Sequence, residues 1–231
     1  MCVWTARPDG EHRLVPDGCV DVLWFDDGRG WVCGTETEAW TFRLPPGREA
    51  VGLRFRPGMA PAALGFTGVE VANRRVPVDQ LLTGADARSL AQQLADHPGS
   101  ADRMAVVEAA ARRWVAAPRR PVDTVARAAA HVAGTHGRLR VDELARLCDL
   151  SPRQLHRRCR GVFGYGPTTL TRILRLQRFL TLGAGAHAAD GHRLAALAAR
   201  AGYADQAHLT RECRALAGVT PTALLRADLP R

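Results

Sequence analysis

Two stretches of the chain set mostly hydrogen-bonding side chains at the spacing of one helical face. Arg153, His156, Arg157 and Arg160 recur at intervals of three and four residues, and Gln206, Ala207, Thr210, Arg211 and Arg214 do the same further on. At about 3.6 residues per turn such positions project from one side of a helix. The opposite side of each stretch is apolar: Leu155, Cys159 and Phe163 in the first, Leu209, Cys213 and Leu216 in the second. The outward side chains suit nucleic acid. A guanidinium can donate two parallel hydrogen bonds to guanine or neutralise a phosphate, and a glutamine amide can pair with adenine. Either stretch alone could also be the solvated face of an ordinary helical hairpin.

Other chemistry is poorly supplied. Cys19 lies between Asp17 and Asp21 and could be a nucleophile. Carboxylates on both sides raise a thiol's pKa and disfavour the reactive thiolate. An inward-facing strand cysteine is the better reading. The cysteines are Cys2, Cys19, Cys33, Cys148, Cys159 and Cys213; they contain no Cys-x-x-Cys pair, and none lies near a His-x-x-x-His. Zinc spacing is therefore missing, and free thiols in a reducing compartment are expected. No Gly-x-x-x-x-Gly-Lys, Gly-x-Ser-x-Gly or His-Glu-x-x-His occurs. Gly164-Tyr165-Gly166-Pro167 reads as a turn between helices rather than a phosphate loop. No catalytic residue, metal or cofactor is assigned, and the expectation is a protein that is not an enzyme.

The elements that must position the two stretches follow from periodicity. Residues 19–25, 31–33, 39–44 and 51–56 are short runs rich in β-branched and aromatic residues, punctuated by Gly, Pro and Asp. From Pro57 onward the pattern turns helical, with apolar residues at three-to-four spacing in 85–96 and 100–117. Ala117-Pro118-Arg119-Arg120-Pro121 disfavours helix and marks a boundary. Beyond it helices are expected at 122–133, 141–148, 152–163, 167–182, 194–201, 206–216 and 221–227, with a loop at 183–192. The fold class is α+β: a mostly β domain with a few helices over 1–118, then an all-α domain over 119–231.

Charge divides at the same place. Residues 1–118 hold 13 Arg against 15 Asp and Glu, and residues 119–231 hold 19 Arg against 8, so nets of −2 and +11 make up the total of +9. A basic half implies an acidic partner, most simply a phosphate backbone. No apolar run approaches the roughly 20 residues a membrane span needs. The first residues lack a cationic segment followed by an apolar one. A location in the bacterial cytoplasm is expected.

The helical half also repeats itself. At a fixed offset of 54, Leu155, Arg157, Cys159, Arg160, Gly164, Pro167 and Thr168 match Leu209, Arg211, Cys213, Arg214, Gly218, Pro221 and Thr222. Ahead of each copy lies a short helix with an apolar face (Leu144 and Leu147; Leu197 and Ala201), then a residue able to take left-handed geometry, Asp149 or Gly202. Ser151 and Asp205 are placed to cap the second helix of each pair, and Pro152 suits its first turn. Each copy is a helix-turn-helix. Two capped, arginine-faced copies within a strongly basic segment favour DNA over a bland polar surface.

These motifs resemble those of a known family. The run Gly-Tyr-Ala-Asp-Gln-Ala-His-Leu from Gly202, the Leu-x-Arg-x-Cys-Arg from Leu209, and Gly218-Val219-Thr220-Pro221 are similar to the second helix-turn-helix of AraC/XylS-type transcription regulators. The segment 172–180 resembles the long helix between that family's two units, and the likeness covers residues 122–225. The resemblance implies two recognition helices in successive major grooves of double-stranded DNA. Its base-facing slots fall on Arg153, His156 and Arg157, and on Gln206, Ala207, His208, Thr210 and Arg211. Three features depart from the family pattern: Cys159 and Cys213 replace bulky apolar residues, Asp149 replaces the turn glycine, and 183–192 is a longer connection. Pro16-Asp17-Gly18-Cys19-Val20-Asp21 and the segment 52–58 resemble the small β-rich domain preceding this module in one subgroup. That resemblance implies an N-terminal domain that senses a small-molecule effector or forms a homodimer, and the lack of a long apolar run leaves no membrane partner expected.

Overall fold

The computed structural model describes residues 1–6, 11–43, 47–82, 85–97, 99–135, 139–184 and 191–227. The chain opens with six strands, β1 Cys2–Ala6, β2 Glu11–Leu14, β3 Val20–Phe25, β4 Gly30–Cys33, β5 Trp40–Arg43 and β6 Ala50–Phe55. Short helices α1 Ala60–Leu64 and α2 Gly68–Val71 lead to β7 Arg75–Pro77 and α3 Val78–Leu81. Two longer helices follow, α4 Ala85–Asp96 and α5 Ser100–Ala116.

The main sheet has the order β1-β6-β3-β4-β7, every pair antiparallel, and β2 pairs with β5 as a separate ribbon. Strand alternation sorts the residues onto two faces. One row, Val3–Leu53–Val22–Val32–Val76, crosses all five strands by direct register. Its members on β6, β3, β4 and β7 are buried beneath α1 and α5, whose Leu64, Val107, Ala111 and Trp114 complete the first core. The next row, Cys2–Arg54–Asp21–Cys33–Arg75, carries three charged residues and two cysteines and lies on the opposite face.

Beyond α5 the chain is helical: α6 Thr124–Thr135, α7 Val141–Leu147, α8 Pro152–Phe163, α9 Pro167–Gly183, α10 Gly191–Ala201, α11 Gln206–Ala217 and α12 Pro221–Arg226. Helix α9 buries Leu170, Ile173, Leu174, Leu176 and Phe179, and it is the axis of the second core. The sequence expectation of an α+β chain, β-rich first and all-α second, is the fold observed. The strands and helices read from sequence lie within a residue or two of the observed ones except α10, which begins at Gly191 rather than 194 and so takes the end of the expected loop 183–192. Three further points stand apart. Strands β1, β2 and β7 were not foreseen, and β7 interrupts the stretch after Pro57 that was read as helical. Residues 185–190 of the expected loop, and Leu44 of an expected strand, lie outside the described residues. Leu147 was expected to face inward with Leu144, yet it is 69% exposed while Leu144 is buried. In so short a helix the inward place one turn after Leu144 goes to the half-buried Cys148, which rotates Leu147 to the solvent.

Candidate nucleic-acid interface

The second helix of each pair, α8 and α11, begins with a cap built from local sequence. Ser151 Oγ accepts the Gln154 N–H at 3.3 Å, and Gln154 Oε1 accepts the Ser151 N–H at 2.9 Å, closing a capping box ahead of Pro152. Asp205 Oδ1 accepts the His208 N–H at 2.6 Å and does the same for α11. The preceding turns use left-handed residues as the repeat required: Asp149 at φ 52 and Gly202 at φ 97. Both helices end on a left-handed glycine, Gly164 at φ 80 and Gly218 at φ 70. Leu155 and Cys159 in α8, like Leu209 and Cys213 in α11, are fully buried, so each helix presents only its other face.

That face carries Arg153, His156, Arg157 and Arg160 on α8, all exposed. On α11 it carries Gln206, Ala207, Arg211 and Arg214, also exposed. None of Arg153, Arg157, Arg160, Arg211 and Arg214 has an acidic partner among the described residues. Uncompensated guanidinium groups on one surface keep their charge available for an anionic partner. The sequence-assigned residues are not all alike. His208 is half-buried; its Nδ1 accepts the Ala204 N–H at 3.3 Å and its ring stands edge-on to Tyr203 at 5.3 Å. It braces the turn. Thr210 is half-buried, and its hydroxyl donates back to the Gln206 carbonyl at 2.9 Å. The His156 ring lies over Gly166, where an added Cβ would meet it at 3.2 Å.

Other arginines of the basic half hold the two units together rather than facing out. Arg172 of α9 donates from Nε to both carboxylate oxygens of Glu212 on α11, at 2.8 and 3.2 Å. Arg175 stacks on the Tyr203 ring at 5.6 Å, and Arg178 Nε donates to the Arg200 carbonyl at 3.0 Å. Their spacing of three along α9 directs them toward the second unit. This division of labour depends on contacts between distant segments and has no local sequence signature.

The polar face of the main sheet looks onto α9. Between them, with α6 and α12 at the edges, lies a cavity of about 670 Å³. Its sheet wall includes Asp17, Cys19, Asp21, Cys33 and Arg54, and its helical wall includes Leu174, Gln177, Thr181 and Leu225. Arg54 is held by Asp21 at 2.8 Å and by Asp17 at 3.3 Å. Burial, opposed by Arg54, raises the Asp17 carboxyl above its ordinary range. Burial first, and Asp17 second, push the Cys19 thiol far up, and burial takes Cys33 to about 12. Both shifts disfavour the reactive thiolate.

Among the described residues no helix is long and apolar enough to cross a membrane, and no group of His, Cys, Asp or Glu is gathered as a metal would need. Two family models match the chain: a helix-turn-helix domain over residues 144–227 and a domain of unknown function, DUF6597, over residues 1–77. No curated protein matches the chain in sequence. The chain is similar to solved structures of ToxT from Vibrio cholerae. An apo ToxT variant matches with a TM-score of 0.49 at 8% identity, over 97% of this chain and 95% of that one. ToxT bound to (E)-4-(8-methylnaphthalen-1-yl)but-3-enoic acid matches at 0.49 with 9% identity, over 96% and 98%. ToxT bound to an unsaturated fatty acid matches at 0.48 with 8% identity, over 96% and 93%. The C-terminal segment 144–227 is thus matched as a helix-turn-helix domain, the fold holds two such units there, and a β-rich N-terminal domain precedes them.

Proposed function

We propose that this protein is a sequence-specific transcription regulator that reads two successive major-groove segments of one DNA duplex with α8 and α11. The observation that carries the reading is the pair of equivalent basic faces. Arg157 and Arg160 on α8 correspond to Arg211 and Arg214 on α11 at the offset of 54, and all four are exposed without acidic partners among the described residues. Arg153, Arg157 and Arg211 lie toward the N-terminal and middle turns of their helices, where base edges are read. Arg160 and Arg214 lie further along and suit phosphate. Gln206 supplies an adenine-reading amide.

The N-terminal domain serves as the regulatory half, and the cavity is its effector site. A volume of about 670 Å³ falls within the range that takes a small molecule, roughly 300–1,000 Å³. The walls combine a charged sheet face with Leu174 of α9 and Leu225 of α12 beside Gln177 and Thr181, which suits a ligand with both polar and apolar parts. Helix α9 joins the two reading units, so an occupant touches the element that sets their arrangement.

Fluorescence anisotropy with a labelled random duplex tests the DNA reading directly. Binding should weaken steeply as salt rises, because each phosphate contact releases a counterion. A protein that ignores duplex DNA at low salt would rule the reading out.

A further inference from the structure

We propose that Arg13 and Thr35 of the N-terminal domain are positioning residues for DNA reading, fixing the separation of the two recognition helices by holding the same carbonyl at the end of each. The proposal rests on the two-segment reading above.

An α-helix leaves the carbonyls of its last turn without intrahelical partners. In α8 the Gly164 N–H returns to the Arg160 carbonyl at 2.9 Å, and in α11 the Gly218 N–H returns to the Arg214 carbonyl at 3.1 Å. The carbonyls just before the two glycines, those of Phe163 and Ala217, are equivalent at the offset of 54. Each receives a donor from the N-terminal domain. Thr35 Oγ1 donates to the Phe163 carbonyl at 2.6 Å, and Arg13 Nη1 donates to the Ala217 carbonyl at 3.0 Å. A third bond runs from the Ala39 N–H to the Leu216 carbonyl at 2.7 Å. The Arg13 charge also sits where the α11 dipole is negative.

These donors belong to one short, stiff strap. From Thr35 to Ala39 the backbone makes four residue steps, so it can reach at most about 14 Å. Arg13 pairs in register with Thr41 on the β2–β5 ribbon just beyond. The strap is tied down behind: the Thr35 carbonyl accepts the Asn73 N–H at 2.8 Å, and Asn73 Oδ1 accepts the Thr37 N–H at 2.8 Å. At α8 the contact is close-packed, since a Cβ on Gly68 would fall 2.5 Å from the Gly164 nitrogen and the Val162 carbonyl oxygen. Connecting helix α9 is therefore not the sole spacer. A second link joins the C-terminal ends of both recognition helices through main-chain atoms and leaves their base-facing side chains untouched. Arg13, Gly34, Glu36 and Trp40 of this link also line the cavity.

The test uses the full chain and a duplex selected by wild-type protein, remade with one or two base pairs added or removed between the contacted segments. Each base pair rotates the far segment by about 34–36°, so a fixed spacer should make wild type lose about tenfold or more per base pair. Arg13→Gln, Thr35→Val and the double variant should flatten that profile to within about threefold over one base pair either way. Thr35→Ser should restore the sharp optimum. Loss of a merely structural bond would lower affinity at every spacing alike. A double variant that is folded by circular dichroism and keeps the wild-type profile overturns the proposal, as does a profile already flat in wild type. If the double variant does not fold, the single variants decide by the same criterion. Wild type that binds no duplex overturns both this proposal and the DNA reading.

Discussion

Arg172 on the connecting helix holds Glu212 on the second recognition helix through a single nitrogen shared between both carboxylate oxygens, at 2.8 and 3.2 Å. Glu212 is largely buried and Arg172 about a third exposed. The hydrogen bond to Glu212 holds the guanidinium further toward its charged form. Arg172→Met should leave a largely buried carboxylate without its donor. The expected loss, discounted for solvent at the arginine, is about 1–2 kcal/mol, read from urea unfolding. A midpoint equal to that of wild type would show that the pair contributes nothing to the seating of α11.

Arg157→Ala and Arg211→Ala should each weaken binding to a selected site by about 1–3 kcal/mol, with helical content unchanged. Both side chains are exposed, and neither has an acidic partner among the described residues. Titration with a labelled duplex checks this, and wild-type affinity in either variant would remove that residue from the interface.

Glu36 gives the inter-domain seam a pH dependence. Burial, opposed by Arg75 at 2.7 Å, pushes its carboxyl up from 4.5 to about 7. Between those values the folded protein binds more protons than the unfolded chain, so this group's contribution to stability falls as pH rises through the window. Below about 4.5 and above about 7 its contribution is flat. The urea midpoint of wild type should therefore decline from acid to neutral pH relative to Glu36→Gln. A wild-type midpoint that rises relative to the variant over that window would reverse the assigned direction.

A fragment from Pro121 onward should fold by itself. Its core, built on Leu155, Phe163, Ile173, Phe179 and Leu209, is separate from the core under the main sheet. Val15 and Met59 of the N-terminal domain pack on its edge, so some loss of stability is expected. A cooperative thermal transition by circular dichroism is the expected outcome. A fragment without one would place the unit boundary elsewhere.

What could be read from the sequence was local. Ser151, Asp205, Asp149 and Gly202 act within four residues of their own position, so cap and turn chemistry found both hairpins. The inward Cys159 and Cys213 followed from helical spacing alone. Strand β2 escaped because Glu11-His12-Arg13-Leu14 has little strand character, and its pairing with β5 joins residues about 30 apart. The three-residue β7 was hidden by its brevity. His208 was assigned to the DNA face by position, and only the neighbouring Tyr203 ring shows why it turns half inward. Thr35 and Arg13 could not have been found at all: their partners lie 128 and 204 residues away.

Tandem reading is tested most directly by inserting five base pairs between the two contacted segments of a selected duplex. About half a turn of B-DNA then carries one segment to the far side of the duplex. Two recognition helices fixed on one rigid domain could no longer reach both. Titration with the original and the lengthened duplex should show affinity falling to that of a single segment, and substitution of Arg211 should then cost little where Arg157 makes the remaining contact. Undiminished binding to the lengthened duplex would contradict tandem reading and leave only one hairpin in contact with DNA.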